Sequence, residues 1–312
     1  MERKKGKTAR VILLMSGGLD SILAARILME QGIKVSPLCF KSYFFCPDAA
    51  QKASDYLGLP LRVIDFSDDQ LKIVKKPKFG RGAAINPCID CHLLMLLKAR
   101  EIMEKEGFDL IATGEVLEER PMSQNKKSLA LIEKESGLAG KLLRPLSAKL
   151  LPATEAETSG LVNREKLEAI SGRSRKRQLE LADKLKIKEI PQPSGGCILC
   201  EKDYGDKLAC ALKINPDLDG NDVLALKSGR IFFEKQALVV VARDKAESEI
   251  LPALAKAGDT VFSPGNFPGP AVLVRNLGKK LSEPDLEAIG RSYLAKYSKK
   301  TPKDPRIEIE RR

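Results

Sequence analysis

The stretch Arg10-Val11-Ile12-Leu13-Leu14-Met15-Ser16-Gly17-Gly18-Leu19-Asp20-Ser21 decides the fold. Val11 to Met15 is an unbroken apolar run. Without polar alternation it reads as a strand buried on both faces, as in a parallel sheet. Beyond it Leu19, Ile22, Leu23, Ile27 and Leu28 recur at helical spacing until Gly32 stops them. The turn between strand and helix, Ser16 to Ser21, has the makings of an anion site. Its glycines let the backbone approach a ligand closely, and the helix start offers unpaired N–H groups and a positive dipole end. Ser16 and Ser21 add hydroxyl donors. A Walker lysine is missing, so the loop is not built to grip a transferring γ-phosphate. A Gly-Gly turn alone would be a tight connection; the two serines, Asp20 and the strand–turn–helix setting argue for phosphate binding.

Working outward, strands are expected at Ile33–Phe40, Leu61–Phe66 and Asp109–Thr113. Helices are expected at Pro47–Leu57, closed by Gly58, and at Asp90–Glu106, closed by Gly107. Strands alternating with helices predict an α/β domain, a parallel sheet covered by helices, over 1–160. Residues 161–216 read as a connecting segment with a polar helix and a Pro-rich turn. Residues 217–312 read as a small α+β domain. Its strands are expected at Asp222–Leu226, Arg230–Glu234, Leu238–Arg243 and Ala271–Arg275. Its helices, at 245–257 and 283–297, open with the capping signatures Asp244/Glu247 and Ser282/Asp285. The Lys- and Pro-rich tail after Tyr297 is expected to be loose.

Composition narrows the chemistry. The 312 residues are 43% hydrophobic, enough for a real core, and 54 Lys+Arg against 42 Asp+Glu leave a net charge of +12. That excess favours a polyanionic partner such as nucleic acid. A single histidine, His92, excludes most Ser-His-Asp and multi-histidine metal chemistry, and is expected to be a helix-surface or core residue. No stretch approaches the roughly 18 consecutive apolar residues of a membrane span, and no signal peptide is visible, so a cytoplasmic location is expected. Seven cysteines, four of them in two C-x-x-C pairs, suit an intracellular thiol or metal site better than a disulfide framework.

Cys88 and Cys91 open the helix after Asn86-Pro87, where a thiolate is stabilised; Cys197 and Cys200 follow Gly195-Gly196. On the residues alone, three readings stand. Four thiolates could hold zinc, three could hold a 4Fe–4S cluster with one iron open, or Cys91 and Cys197 could carry and resolve a persulfide. Cys39 and Cys210 are expected to be packing residues, and Cys46 is undecided. The basic run Arg173, Arg175, Lys176 and Arg177 is either a solvated face or a phosphate-binding strip.

The Ser16–Ser21 segment resembles the S-G-G-x-D-S motif of the PP-loop ATP pyrophosphatases. The resemblance implies that Ser16, Gly17, Gly18, Asp20 and Ser21 hold the pyrophosphate of ATP and its Mg²⁺, in a family that attaches AMP to a substrate oxygen. The N-P-C-x-x-C segment and the later Gly-Cys resemble the tRNA thiolation enzymes of that class, the 4-thiouridine synthases and 2-thiouridylases. That likeness implies a 4Fe–4S cluster on Cys88, Cys91 and Cys197, with zinc as the alternative and Cys200 a possible further ligand. Thr113-Gly114-Glu115, Pro121-Met122-Ser123-Gln124 and Leu143-Arg144-Pro145-Leu146 share the likeness, with Gly114 placed against ATP or the target base and Ser123 and Gln124 as nucleotide contacts. The resemblance covers about 10–210. Residues 217–312, with Phe232-Phe233 and Phe267-Pro268-Gly269-Pro270, resemble more weakly the RNA-binding domain of the NFACT proteins.

The resemblance implies an ATP-dependent tRNA sulfurtransferase. Asp20, Cys91 and Cys197 would be its catalytic residues, and Arg173, Arg175, Lys176 and Arg177 would contact tRNA. A sulfide or persulfide carrier would donate the sulfur. A small-molecule PP-loop ligase and a zinc-stabilised RNA-binding factor without catalysis are the competing readings.

Overall fold

The computed structural model describes residues 8–191, 196–278, 281–299 and 302–312. Gly195, Lys279, Lys280, Lys300 and the basic Met1–Lys5 lie outside them.

Val11, Ile12 and Leu13 are buried to within 2% of complete enclosure, because β1 (Arg10–Leu14) is the central strand of a five-stranded parallel sheet. The sheet runs β3-β2-β1-β4-β5, from β2 (Lys34–Lys41), β3 (Arg62–Asp65), β4 (Leu110–Thr113) and β5 (Leu142–Leu143). Helices α1 (Leu19–Met29), α2 (Asp48–Leu57), α3 (Ser67–Lys75), α4 (Cys88–Glu106), α5 (Lys126–Glu135), α6 (Glu155–Thr158) and α7 (Lys176–Lys184) accompany it. Gly58 (φ 66°) and Gly107 (φ 68°) end α2 and α4 in the left-handed conformation that a glycine adopts without a Cβ penalty. Two apolar layers form around the sheet. Leu13, Leu23 and Leu28 belong to one; Ile12, Leu96 and Ile111 belong to the other.

The second unit is built from α8 (Lys202–Ile214), α9 (Gly220–Ala225), α10 (Lys245–Leu254), α11 (Glu283–Tyr297) and an antiparallel sheet. Its strands run β10-β8-β9-β7-β6, from β6 (Arg230–Glu234), β7 (Ala237–Val241), β8 (Thr260–Pro264), β9 (Val272–Asn276) and β10 (Ile307–Arg311). Gly290 lets α11 come down onto the Phe262 ring, where a Cβ would collide. Arg275 on β9 is 1% exposed. Its guanidinium is fully paired, donating to Asp222 Oδ1 at 2.8 Å and to both carboxylate oxygens of Asp259.

Several expectations are corrected. Asp222–Leu226 is helix α9 rather than a strand: Asp219 and Asp222 form a reciprocal capping box that commits the segment to helix. The tail after Tyr297 is not loose throughout, since Ile307–Arg311 pairs with β8 as an edge strand. Helix α3 and strand β8 were not expected. The compact units are 1–82 with 86–197, and 83–85 with 198–312. The sequence divides at 160 and 216 instead. Helix α7 packs against α1 and so joins the first unit, whereas α8 and α9 join the second.

Candidate active site

β1 and β4 are neighbours, yet the strands that follow them lie on opposite sides, β2 beside β1 and β5 beside β4. Such a reversal opens a crevice at the carboxyl ends of the strands. Ser16–Ser21 leaves β1 there, and Thr113-Gly114-Glu115 leaves β4. The two segments touch: a Cβ on Gly114 would lie 2.6 Å from the backbone nitrogen of Ser21. The missing side chain of Gly114 therefore serves the loop's own backbone, whereas the sequence reading placed that freedom against the ligand.

Gly17 has φ 80°, and any side chain there would strike the backbone of Ala49 and Ala50 in the first turn of α2. Gly18 caps α1 in an extended conformation without a side-chain hydrogen bond. Ser21 Oγ donates to the Gly18 carbonyl at 2.8 Å, and Gly18 N–H donates to Ser16 Oγ at 3.3 Å. The loop is thus held by its own serines, with the positive end of α1 behind it.

Asp20 faces inward. Burial pushes its carboxyl above the ordinary carboxylate range, and Gln178, Arg175 and Arg120 draw it part of the way back. Its Oδ1 is enclosed without a hydrogen-bond partner. So are both amide atoms of Gln178, which is 0% exposed, and Oε1 of Gln124. Glu119 is raised by burial and by Asp20, and is opposed by Arg120 and Arg175. Glu119, the two arginines and the orphaned amide of Gln178 are therefore all near enough to act on Asp20 or its neighbours. This donor set fits a metal-complexed phosphate, which offers acceptor oxygens for the N–H groups and positive charge for the carboxylate.

A second, buried network adjoins it. His92 Nδ1 lies 2.8 Å from Glu115 Oε1; Arg144 Nε donates to Glu115 Oε2 at 3.0 Å, and Arg144 Nη1 to Glu133 Oε2 at 2.9 Å. Burial opposes ionisation of Glu115, but Arg144 and His92 outweigh it and hold the carboxyl at about 2. Burial likewise opposes the charged form of His92, yet the hydrogen bond and charge of Glu115, with the nearby Cys88, raise its pKa; Arg120 acts against them. Arg120 is therefore close enough to influence both Asp20 and His92. His92 is a half-buried residue of α4, in line with the helix-surface or core position expected, and its ring contacts Glu115.

The cysteines divide. Asn86 Nδ2 donates to Cys88 Sγ at 3.0 Å and approaches Met122 Sδ at 3.8 Å, which joins the N-P-C-x-x-C and P-M-S-Q segments. Cys91 is buried and receives Gln70 Nε2 at 3.3 Å. Cys197 is half-buried and Cys200 exposed; they fall in the first and second units respectively. Among the described residues no group of three or more His, Cys, Asp or Glu stands where a metal ion could be held. Cys39 is buried, and burial with the neighbouring Cys46 pushes its thiol up to about 11. Cys46 is exposed and donates to Asp48.

The basic run is split by the fold. Arg175 donates to the Pro191 carbonyl at 3.4 Å and is near enough to favour the Asp20 carboxylate, and Arg177 is tied to Glu168 and Glu180. Arg173 and Lys176 are exposed. Ser123 is buried. Arg120, Glu119 and Gln178 carry no motif in the sequence and were missed.

A glycine loop at the switch point of a five-stranded parallel sheet flanked by helices is the arrangement of a PP-loop-like fold. Residues 6–149 match the family model described as "Thiamine biosynthesis protein (ThiI)". The chain is 38% identical over 117 residues to a tRNA-specific 2-thiouridylase, MnmA, of Sulfurimonas denitrificans, across 34% of each chain. It is 28% identical over 248 residues to an MnmA of Syntrophus aciditrophicus, across 72% of this chain and 63% of that one. A solved 4-thiouridine synthetase–RNA complex with bound ATP aligns at 21% identity and a TM-score of 0.36, covering 57% of this chain and 52% of that one. Over residues 6–149 the first unit is thus similar to PP-loop tRNA thiolation enzymes. The chain's match spans about a third of the length of the first of these relatives. No described helix is long and apolar enough to cross a membrane.

Proposed function

We propose that the chain is an ATP-dependent tRNA sulfurtransferase acting on a uridine carbonyl. The observation that carries this reading is Arg120, which acts electrostatically on both Asp20 of the phosphate loop and His92, one helical turn from Cys88. Nucleotide and thiol chemistry thereby share one neighbourhood.

In this reading Ser16, Gly17, Gly18, Asp20 and Ser21 hold ATP with Mg²⁺ at its phosphates, and Gly114 keeps the loop seated. The target uridine leaves its stack to reach the crevice. Its carbonyl oxygen attacks the α-phosphate and pyrophosphate departs. The adenylated carbon then has AMP as its leaving group, which a carbonyl oxygen alone would not provide. A sulfur nucleophile attacks that carbon, the C–O bond breaks and AMP leaves. Loop donors stabilise the charge developing on phosphate oxygens, and Mg²⁺ held with the nucleotide would neutralise part of it.

The sulfur is assigned to protein thiols, with Cys197 accepting the terminal sulfur of a persulfide donor. After its attack on the uridine carbon, the Cys91 thiolate takes the Cys197 sulfur as a disulfide and frees the thiocarbonyl. An external dithiol then reduces the Cys91–Cys197 bond. In the alternative form Cys88, Cys91 and Cys197 would hold a 4Fe–4S cluster whose fourth iron could carry the sulfur; iron and sulfide analysis after anaerobic purification distinguishes the forms. Arg173 and Lys176 are proposed to contact tRNA phosphates, in a protein working in the cytoplasm.

Mass spectrometry of tRNA nucleosides from cells with and without the protein is the test. A thiouridine lost with the gene and restored by wild type, but not by Asp20→Ala or Cys197→Ala, supports the assignment. An unchanged thionucleoside profile overturns it.

A further inference from the structure

The loop Ser16–Ser21 contains no cation, although a triphosphate brings about four negative charges; elsewhere in the fold two arginines converge on it. We propose that the N-terminus of α7, with Arg175 and Gln178, is the second half of the nucleotide site and grips the pyrophosphate portion of a metal-complexed nucleoside triphosphate. The inference rests on the reading of the loop as an ATP site and adds to it a segment more than 150 residues further along the chain.

Three observations lead there. First, α7 begins at Lys176 with Arg175 as its N-cap; the Arg175 side chain makes no cap hydrogen bond, and the Lys176 N–H alone donates to a nearby side chain, Ser174 Oγ at 3.4 Å. Its leading N–H groups keep the partial positive charge that attracts anions. The segment is anchored beside the crevice, since Gly172 N–H donates to the Leu117 carbonyl at 2.7 Å, four residues beyond β4.

Second, Gln178 in that first turn is completely enclosed, and both its Nε2 and its Oε1 lack a partner. It sits close enough to Asp20 to favour the ionised carboxylate, while Asp20 Oδ1 is also unpartnered. Each enclosed polar atom left unmade costs on the order of 1–3 kcal/mol. The orphaned set comprises one donor group and two acceptor atoms. A bare anion would leave the acceptors unmet, and a bare cation would leave the amide N–H₂ unmet. A phosphate carrying a hydrated divalent cation meets both: its oxygens accept from Nε2 and the α7 N–H groups, and the cation's water protons or the cation itself reach Oε1 and Oδ1.

Third, Arg175 and Arg120 both act on Asp20 and on Glu119. Asp20 and Glu119 supply part of the negative charge that these arginines answer, and the Arg175 guanidinium also donates to the Pro191 carbonyl at 3.4 Å. The β- and γ-phosphates are the most charged part of the nucleotide and match two planar forks better than the α-phosphate does.

The test is titration calorimetry of the full chain with MgATP, magnesium pyrophosphate and AMP, for wild type and for Arg175→Ala, Arg175→Lys and Gln178→Leu. Thermal melting verifies that each variant is folded. Arg175→Ala and Gln178→Leu are expected to weaken MgATP and pyrophosphate at least tenfold and AMP less than twofold, with Arg175→Lys intermediate. Folded variants that bind MgATP within twofold of wild type overturn the inference. So does an equal loss for AMP, which would mark a structural role. If Arg175→Ala does not fold, Gln178→Leu and Arg175→Lys decide by the same criteria. Wild type failing to bind MgATP would instead sink the reading of the loop itself.

Discussion

A methyl group at Gly114 would sit 2.6 Å from Ser21 N and 2.8 Å from the Asp20 carbonyl carbon, and backbone on both sides leaves it nowhere to go. Gly114→Ala is therefore expected to displace the start of α1, costing about 1–3 kcal/mol of stability and lowering MgATP affinity at least tenfold, as read by melting and calorimetry. Glu115, next in sequence, yields a pH prediction. Its folded pKa of about 2 lies below the ordinary 4.5, so its stabilisation is complete above about 4.5 and is lost as pH falls toward 2. The stabilisation is on the order of 3 kcal/mol. In denaturant melts, Glu115→Gln should remove that part of the decline between pH 4.5 and 2 and should lower stability at pH 7, because Arg144 loses one of its two carboxylates. A wild-type-like pH profile in the variant would contradict this. The Ser16–Ser21 turn between β1 and α1 was legible because its residues are contiguous and each has a local structural job. The His92–Glu115–Arg144 network was not, since its members are 23 and 29 residues apart and meet only after the sheet closes. Gln178 is the extreme case: an ordinary helix residue in sequence, it is given a role only by what surrounds it.

At the scale of elements, capping chemistry was a sure guide, and the apolar runs that gave β1 and β4 misled only where one lay inside a short capped helix. Asp244 and Ser282 cap α10 and α11 by accepting from the N–H groups of Glu247 and Asp285, where the sequence put them. Val223-Leu224-Ala225-Leu226 looked like a strand because four apolar residues in a row carry no period. The Asp219/Asp222 box just upstream was the signal that settles it as helix. Asp219→Ala is expected to cost about 1–2 kcal/mol, from the lost cap, with the ion pair to Lys256 adding little at its exposed position. The midpoint of urea denaturation reads it, and an unchanged midpoint would mean that packing alone holds α9. Helix α3 was hidden because Ser67-Asp68-Asp69 reads as a polar turn, although acidic residues in a first turn are also a helix signal. Strand β10 was hidden because Glu308, Glu310 and Arg311 alternate with its two isoleucines, and a solvated edge tolerates that pattern.

Each unit of the whole molecule encloses its own apolar cluster, Leu13, Leu23 and Ile111 in the first and Val239, Phe262 and Val274 in the second. Differential scanning calorimetry should accordingly resolve two transitions, and MgATP should raise only the one belonging to the first unit. At a hundredfold excess over the dissociation constant the gain is about 2.7 kcal/mol. A single transition shifted as a whole would contradict it. The net charge of +12 further predicts that tRNA affinity falls steeply between low and physiological salt, with a linear log–log slope. A flat dependence would remove the phosphate strip from consideration. The outermost position of β10 has a further consequence. Ile307 and Ile309 face the cluster around Phe262 while Glu308 and Glu310 face outward, so this short charged ribbon shields β8 from neighbouring molecules. Clipping Ile307–Arg311 would bare the unpaired N–H and C=O groups of Thr260–Pro264 beside a freshly uncovered apolar surface. The shortened protein should self-associate into β-rich aggregates, detectable by light scattering and thioflavin fluorescence.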